Sequence, residues 1–224
     1  MLALTGYSWI ITHNFQSVLE AVPLSSSSPP FPLLGGRLSI DFANTTPVNF
    51  ELSWEGLILF LEAARVVSPE RGAQLLALTQ SNPQAAEALL VKAQRLCASL
   101  RKTFTAMLRR QKIAGEWVEP VNEILRITEG HDELVCVDGI WRIEFIAREG
   151  GLDWLLAAIA RSAAEIVAEG PGARLRLCAN PRCGLFFYDA SRTHRRRWCT
   201  MAVCGNRNKV AAFARKHGSS RRAQ

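Results

Sequence analysis

Histidine is scarce in this chain of 224 residues: there are four, spread far apart. The chain has no His-Glu-x-x-His helix, no phosphate-cradling glycine loop and no nucleophile elbow. Those absences remove the common hydrolase and nucleotide-binding signatures, and the chain is read as not an enzyme. Basic residues are missing from the start, where no Lys or Arg precedes Arg37. The apolar stretches of residues 1–24 therefore lack the basic n-region of a signal peptide. Thr12, His13, Asn14 and Gln16 interrupt them too often for a membrane span. Ser25-Ser26-Ser27-Ser28-Pro29-Pro30 then reads as a flexible linker. The expectation is a cytoplasmic protein without membrane association, with residues 1–34 a flexible extension. No internal repeat and no heptad run is present.

Acidic residues are missing from the other end. Between Arg174 and Gln224 there are thirteen Lys and Arg against the single acid Asp189, a balance of +12. The remaining chain has fourteen basic and nineteen acidic residues, or −5. All the excess positive charge sits on about fifty residues, the pattern expected of a partner with a phosphate backbone. A solubilising surface is the plainer alternative.

What the same stretch does have is cysteine. Four of the chain's six lie there, as Cys178 with Cys183 and Cys199 with Cys204, each pair enclosing four residues and the pairs fifteen residues apart. Two short-spaced thiolate pairs are what a tetrahedral Zn²⁺ site requires. Two disulfides would use the same residues, but nothing indicates export; unrelated buried thiols would not be expected in two equal spacings. Asn180, Pro181 and Gly184 are turn formers. Leu185 to Tyr188 suits a strand, and Lys209 to His217 has helical composition. A thiolate turn, a hairpin and a helix start supplying the second pair make a treble-clef-like zinc finger. His194 is a substitute ligand less favoured than a solvated loop residue. A treble-clef nuclease would cast His194, Asn206 and His217 as its catalytic groups, but a closed four-thiolate site has no open position for water.

Upstream, Gly35-Gly36 opens the ordered region and Leu38 to Phe42 alternates apolar and polar as a strand would. Helices are expected from Trp54 to Val67 with Ser53 as cap, from Pro69 with Ser68 as cap, and from Pro83 to Gln111 behind Asn82. Further helices are expected from Glu119 to Ile127 and Leu152 to Ala168, the latter ended by Gly170-Pro171-Gly172 at a domain boundary. Leu134 to Val137 and Ile140 to Ala147 flank the turn signal Asp138-Gly139, with Trp141, Ile143 and Phe145 on one face. Cys97, Cys136, Trp54 and Trp141 are read as core residues. Arg174 to Leu177 alternates into a strand leading to the first zinc turn.

The C-terminal residues resemble the CGNR zinc-finger family of bacteria. The naming tetrad stands as Cys204-Gly205-Asn206-Arg207, preceded by Arg196-Arg197-Trp198-Cys199 and by Asp189-Ala190-Ser191-Arg192. Leu38 to Thr45 resembles the opening of the ABATE domain that accompanies such fingers. The resemblance implies a transcription regulator. Together these readings give an α+β chain, a mostly helical N-terminal domain with a small antiparallel sheet followed by the finger. Residues 35–170 form the ABATE-like part, 174–217 the finger and 218–224 a basic tail.

The expected cofactor is Zn²⁺ on Cys178, Cys183, Cys199 and Cys204, with Arg207 donating to the sulfurs. The expected partner is DNA, contacted through Arg192, Arg195, Arg196, Arg197, Arg207, Lys209, Arg215 and Lys216. Asn206 reaches a base edge or, as favoured, caps the helix. Asp41 and Asn44 are the candidate ligand pocket for a small-molecule effector, although a local structural role is preferred. The N-terminal domain is expected to sense that ligand or to hold a homodimer together. The alternative is a zinc-finger adaptor for RNA or a protein partner. Chelation is expected to unfold the finger and leave the helical domain intact.

Overall fold

The computed structural model describes residues 33–45, 52–127, 130–137, 140–147 and 151–218; within these, positions 131–135, 137, 140–147, 212 and 215–218 are described by backbone alone. Residues 1–32 of the expected extension, the Asp138-Gly139 turn and the tail beyond 218 lie outside the described residues.

The first ordered element corrects the expected strand: Leu38–Ala43 is a short helix, α1. Its apolar–polar alternation does not mean an inside and an outside, because Ser39, Ile40, Asp41, Phe42 and Ala43 are all buried. The polar members are held by partners. The Ser39 backbone N–H donates to Ser162 Oγ at 3.2 Å and the two hydroxyls lie 3.0 Å apart. Arg101 donates to the Ala43 carbonyl at 2.8 Å, satisfying an end that a helix leaves open.

Three helices follow with the expected caps. α2 (Trp54–Ala63) starts on Ser53, whose hydroxyl accepts from Gly56 N. α3 (Pro69–Ser81) starts on Ser68, with Pro69 in its first turn. α4 (Pro83–Leu108) starts on Asn82, which accepts from Ala85 N. α2 and α4 both stop short of the expected Val67 and Gln111. The cause is a left-handed arginine after each, Arg65 at φ 58° and Arg110 at φ 54°. Val66 N and Gln111 N then bond back to Leu61 O and Ala106 O, closing each helix as a glycine ordinarily would.

α5 (Gly115–Ile127) begins a turn earlier than Glu119 and carries Pro120 inside it. Ser99 and Thr103 of α4 both donate to the Trp117 carbonyl, fixing that first turn. β1 (Gly130–Val137) and β2 (Ile140–Ala147) pair antiparallel with Val137 opposite Ile140. Cys136 in β1 is exposed, which corrects the buried reading. The Trp141 side chain lies outside the described set. α6 (Trp154–Ala168) packs on α1 and α5 and ends at a 3₁₀ turn, Gly170–Gly172.

The core of this body includes Phe42, Phe60, Leu96, Leu100, Phe104 and Leu155, with Cys97 and Trp54 also buried as expected. Trp54 Nε1 donates to the Leu75 carbonyl at 3.2 Å, so the ring is a core aromatic with its polar edge paired.

Candidate metal centre and the basic surface around it

Two short strands, β3 (Leu175–Leu177) and β4 (Phe186–Tyr188), pair antiparallel, with Arg176 opposite Phe187 and Leu175 opposite Tyr188. Side chains alternate across a strand, and here each face meets a different core. Leu175, Phe186 and Tyr188 belong to the helical core, whereas Phe187 packs with Leu185, Cys178, Cys199 and Cys204. Full burial of a side chain of this size contributes about 2 kcal/mol, so both faces matter to stability.

The turn after β3 carries the first cysteine pair. Cys183 N donates to Asn180 O at 2.9 Å, Arg182 N to Asn180 Oδ1 at 3.1 Å, and Cys178 N to Leu185 O at 2.9 Å. Gly184 takes φ 69°, a left-handed conformation that glycine adopts without cost. The second pair comes from the return of the chain. Ala179 N donates to Arg197 O at 2.8 Å, placing Cys199 beside the turn. A π-helical turn, Met201–Gly205, then carries Cys204 up to the start of α7 (Asn206–Gly218). The loop thus supplies one ligand and the helix approach the other, rather than the helix start supplying both.

The four sulfurs lie within 4.8 Å of one another. Cys199 Sγ is 3.6 Å from Cys183 Sγ and 3.6 Å from Cys204 Sγ. A tetrahedral Zn²⁺ with bonds of about 2.3 Å sets its sulfurs about 3.8 Å apart, so the donors fit that ion. Burial pushes the Cys183 thiol up to about 11 and drives Cys199 further above the ordinary thiol range. A divalent cation reverses that preference and releases the protons. Burial raises Cys204 as well, but the hydrogen bond from Asn180 and those of the neighbouring thiols outweigh it, and the net shift is downward. Asn180 Nδ2 donates to Cys204 Sγ at 3.4 Å and Cys199 N to Cys178 Sγ at 3.5 Å. The expected donor, Arg207, is exposed and has no bond to sulfur.

The loop between β4 and Cys199 is built on Asp189, which is fully buried. Oδ1 accepts from Ser191 N at 3.1 Å and from the Ser191 hydroxyl at 2.6 Å; Oδ2 accepts from Arg196 N at 3.0 Å and lies 3.9 Å from Arg176 Nε. Burial raises this carboxyl, but those bonds and the Arg176 charge prevail and hold it below the usual carboxylate range.

Arg196 is half-buried: Nε donates to Trp198 O at 2.8 Å, Nη2 donates to Cys199 O, and the guanidinium lies 4.7 Å from the Phe187 ring centre. Its cation works inside the module. Arg192, Arg195, Arg197, Arg207 and Lys209 are exposed, with Arg197 over the Trp198 ring at 5.3 Å. Arg215 and Lys216 are on α7 by backbone alone. Asn206 does not accept a helix N–H as a cap does; its Nδ2 donates to Ala202 O at 3.1 Å. His194 is exposed and left-handed at φ 50°, consistent with a solvated loop residue.

Asp41 and Asn44 are both buried and are not brought together on a common group. Asp41 Oδ1 accepts from Gly35 N at 2.6 Å, while Oδ2 has no partner. Gly35 O in turn accepts from Tyr188 N at 2.7 Å. A Cβ at Gly35 would lie 2.5 Å from Ile40 Cγ2 and 3.0 Å from Asp41 N, so the close approach requires glycine there. Asn44 binds the backbone of Phe186. Sequence reasoning missed this docking role because the partners stand 142 residues apart.

Two family models match the chain. One described as "CGNR zinc finger" covers residues 174–217, and one described as ABATE, "Putative stress-induced transcription regulator", covers residues 36–170. No curated protein matches.

Proposed function

We propose that this chain, which belongs to the ABATE family and ends in a CGNR zinc finger, is a transcription regulator that grips duplex DNA with the basic surface of its zinc module. Zn²⁺ on Cys178, Cys183, Cys199 and Cys204 holds that module in shape. The observation that carries the reading is the charge geometry. Arg192, Arg195, Arg197, Arg207 and Lys209 are exposed, and the only acid of residues 174–224, Asp189, is buried and occupied. Free cations on a rigid frame release counterions when they meet phosphates, and that release drives affinity. Arg215 and Lys216, placed by backbone further along α7, complete the proposed contact set. Arg196 is left out of the contact set because Nε and Nη2 bind the Trp198 and Cys199 carbonyls and its guanidinium lies against Phe187.

The helical body is read as the part that senses an effector or pairs two copies, so that two modules address two half-sites. No catalytic role is assigned. Among the described residues no helix is long and apolar enough to cross a membrane.

The test is binding of zinc-loaded protein to duplex DNA and to single-stranded RNA over a salt series, with metal-free protein as control. Zinc-dependent duplex binding that weakens steeply with salt supports the regulator. Equal binding by both protein forms, or none, removes it. One feature favours a second reading, an adaptor for a protein partner: Val210 and Phe213 on α7 are 68% and 66% exposed, near the exposed Met201 and Val203.

A further inference from the structure

We infer that Arg174, Arg176 and His194 form a phosphate-binding cradle where β3 meets the Asp189 loop of the zinc module. The inference rests on the DNA reading for the source of the phosphate, but not for the chemistry of the cradle.

Leu175 turns into the helical core, so its neighbours Arg174 and Arg176 emerge together on the opposite side, and both are exposed. They converge on one residue. Arg174 Nη1 is 3.5 Å from His194 Nδ1, and Arg176 Nη2 donates to the His194 carbonyl at 2.9 Å. Arg174 can only donate, so this contact assigns Nδ1 as the acceptor and leaves Nε2 for a further partner. The guanidinium fork of Arg174, the Nη1 edge that Arg176 keeps beside its bond to the His194 carbonyl, and an imidazole N–H match the oxygens of a phosphoryl group.

The cluster is also short of counter-charge, with one buried carboxylate against two guanidinium groups. Among the described residues no carboxylate pairs with Arg174, and the single acid near Arg176 is Asp189 at 3.9 Å. The Asp189 oxygens already accept from Ser191 and Arg196. Cations held this close on a surface repel one another unless an anion joins them.

Finally, the cradle is held in advance of binding. His194 N donates to Ser191 O at 3.2 Å, and Ser191 is bound twice to the buried Asp189. Arg174 is anchored through its own carbonyl, which accepts from Asp189 N at 2.8 Å. The loop therefore presents His194 to the strand without rearrangement, which lowers the ordering cost of binding.

The experiment uses the full zinc-loaded chain as wild type, Arg174→Ala and Arg126→Ala, the last an exposed arginine on α5 paired to Glu119. Duplex affinity is measured over a salt series, and His194 ring signals are followed by NMR, assigned with His194→Gln. Arg174→Ala is expected to weaken duplex binding about three- to tenfold and to lower the salt slope by about 0.9, one phosphate contact. Arg126→Ala is expected to change neither. Wild-type affinity and slope in Arg174→Ala overturn the cradle.

If wild type binds no duplex at any salt, the DNA reading falls, and inorganic phosphate becomes the deciding probe. Phosphate that moves the His194 signals in wild type but not in Arg174→Ala supports the cradle for a free anion. Signals that do not move overturn it as well.

Discussion

Asn44 binds both backbone polar groups of Phe186: its Nδ2 donates to the carbonyl at 2.9 Å and its Oδ1 accepts from the N–H at 3.0 Å. One amide side chain thus takes the place of a neighbouring strand along β4. It joins the helical body to the zinc hairpin, and Tyr188 adds a bond from its hydroxyl to Glu169 at 2.7 Å. Arg101 lies 5.4 Å from the Phe186 ring centre and Phe104 meets that ring edge-on at 5.9 Å.

Asn44→Ala leaves two buried backbone groups without partners, at about 1–3 kcal/mol each. The expected loss is roughly 3 kcal/mol in urea unfolding of the zinc-loaded protein. A loss under about 0.5 kcal/mol would show that water replaces the amide.

Zinc removal is expected to reach the helices, contrary to the independence expected of two separate domains. Leu175, Phe186 and Tyr188 sit in the helical core, and a hairpin released from the metal withdraws them. Chelation should therefore lower the melting temperature of the far-ultraviolet helical signal by several degrees, at about 2–4 °C per kcal/mol for a chain of this size. A helical melt that stays in place would separate the two parts.

Asp41 predicts a pH dependence. Burial pushes its carboxyl up to about 7, against the lowering effect of the Gly35, Leu34 and Gly36 N–H groups. The unfolded value is about 3.9, so the folded state binds the proton more tightly. Its stabilising contribution is complete below about pH 4 and is lost as pH rises through 7. Asp41→Asn keeps an acceptor for Gly35 N and should abolish this fall, which is at most about 4 kcal/mol. Denaturation of both proteins at pH 5 and pH 8 tests it. A stability difference that is the same at both values sinks the idea.

Asp189 behaves in the opposite sense. Its carboxyl is held below the usual range, so the stability it confers is present above about pH 4 and is lost on acidification. Asp189→Asn cannot match the charge-assisted bonds from Ser191 and Arg196, and a cost of roughly 2–3 kcal/mol is expected. Limited proteolysis should cut the 190–197 loop faster in the variant; equal rates would mean the loop holds without the charge.

Much of this was legible in the sequence because the signals are local. Ser53, Ser68 and Asn82 each cap the helix that follows, and four cysteines in two equal spacings do meet around one point. The failures are equally physical. Arg65 and Arg110 end helices in a conformation usually marked by glycine, so nothing in the residue type announces the stop. Leu38 to Phe42 alternates, yet Ser39 finds Ser162 and Asp41 finds Gly35, so both faces are buried. Which aromatic of Phe186, Phe187 and Tyr188 faces which core depends on contacts far along the chain, and composition carries no trace of that.

The hairpin also sets a limit on modularity. A fragment cut at the 3₁₀ turn, Gly170–Gly172, would keep all four cysteines and could still close around an ion. It would also present Leu175, Phe186 and Tyr188 to water as one sticky face. The boundary that is most natural for counting domains is therefore a poor place to divide the molecule, and a swap of the finger onto a foreign body would need that body to bring its own Asn44.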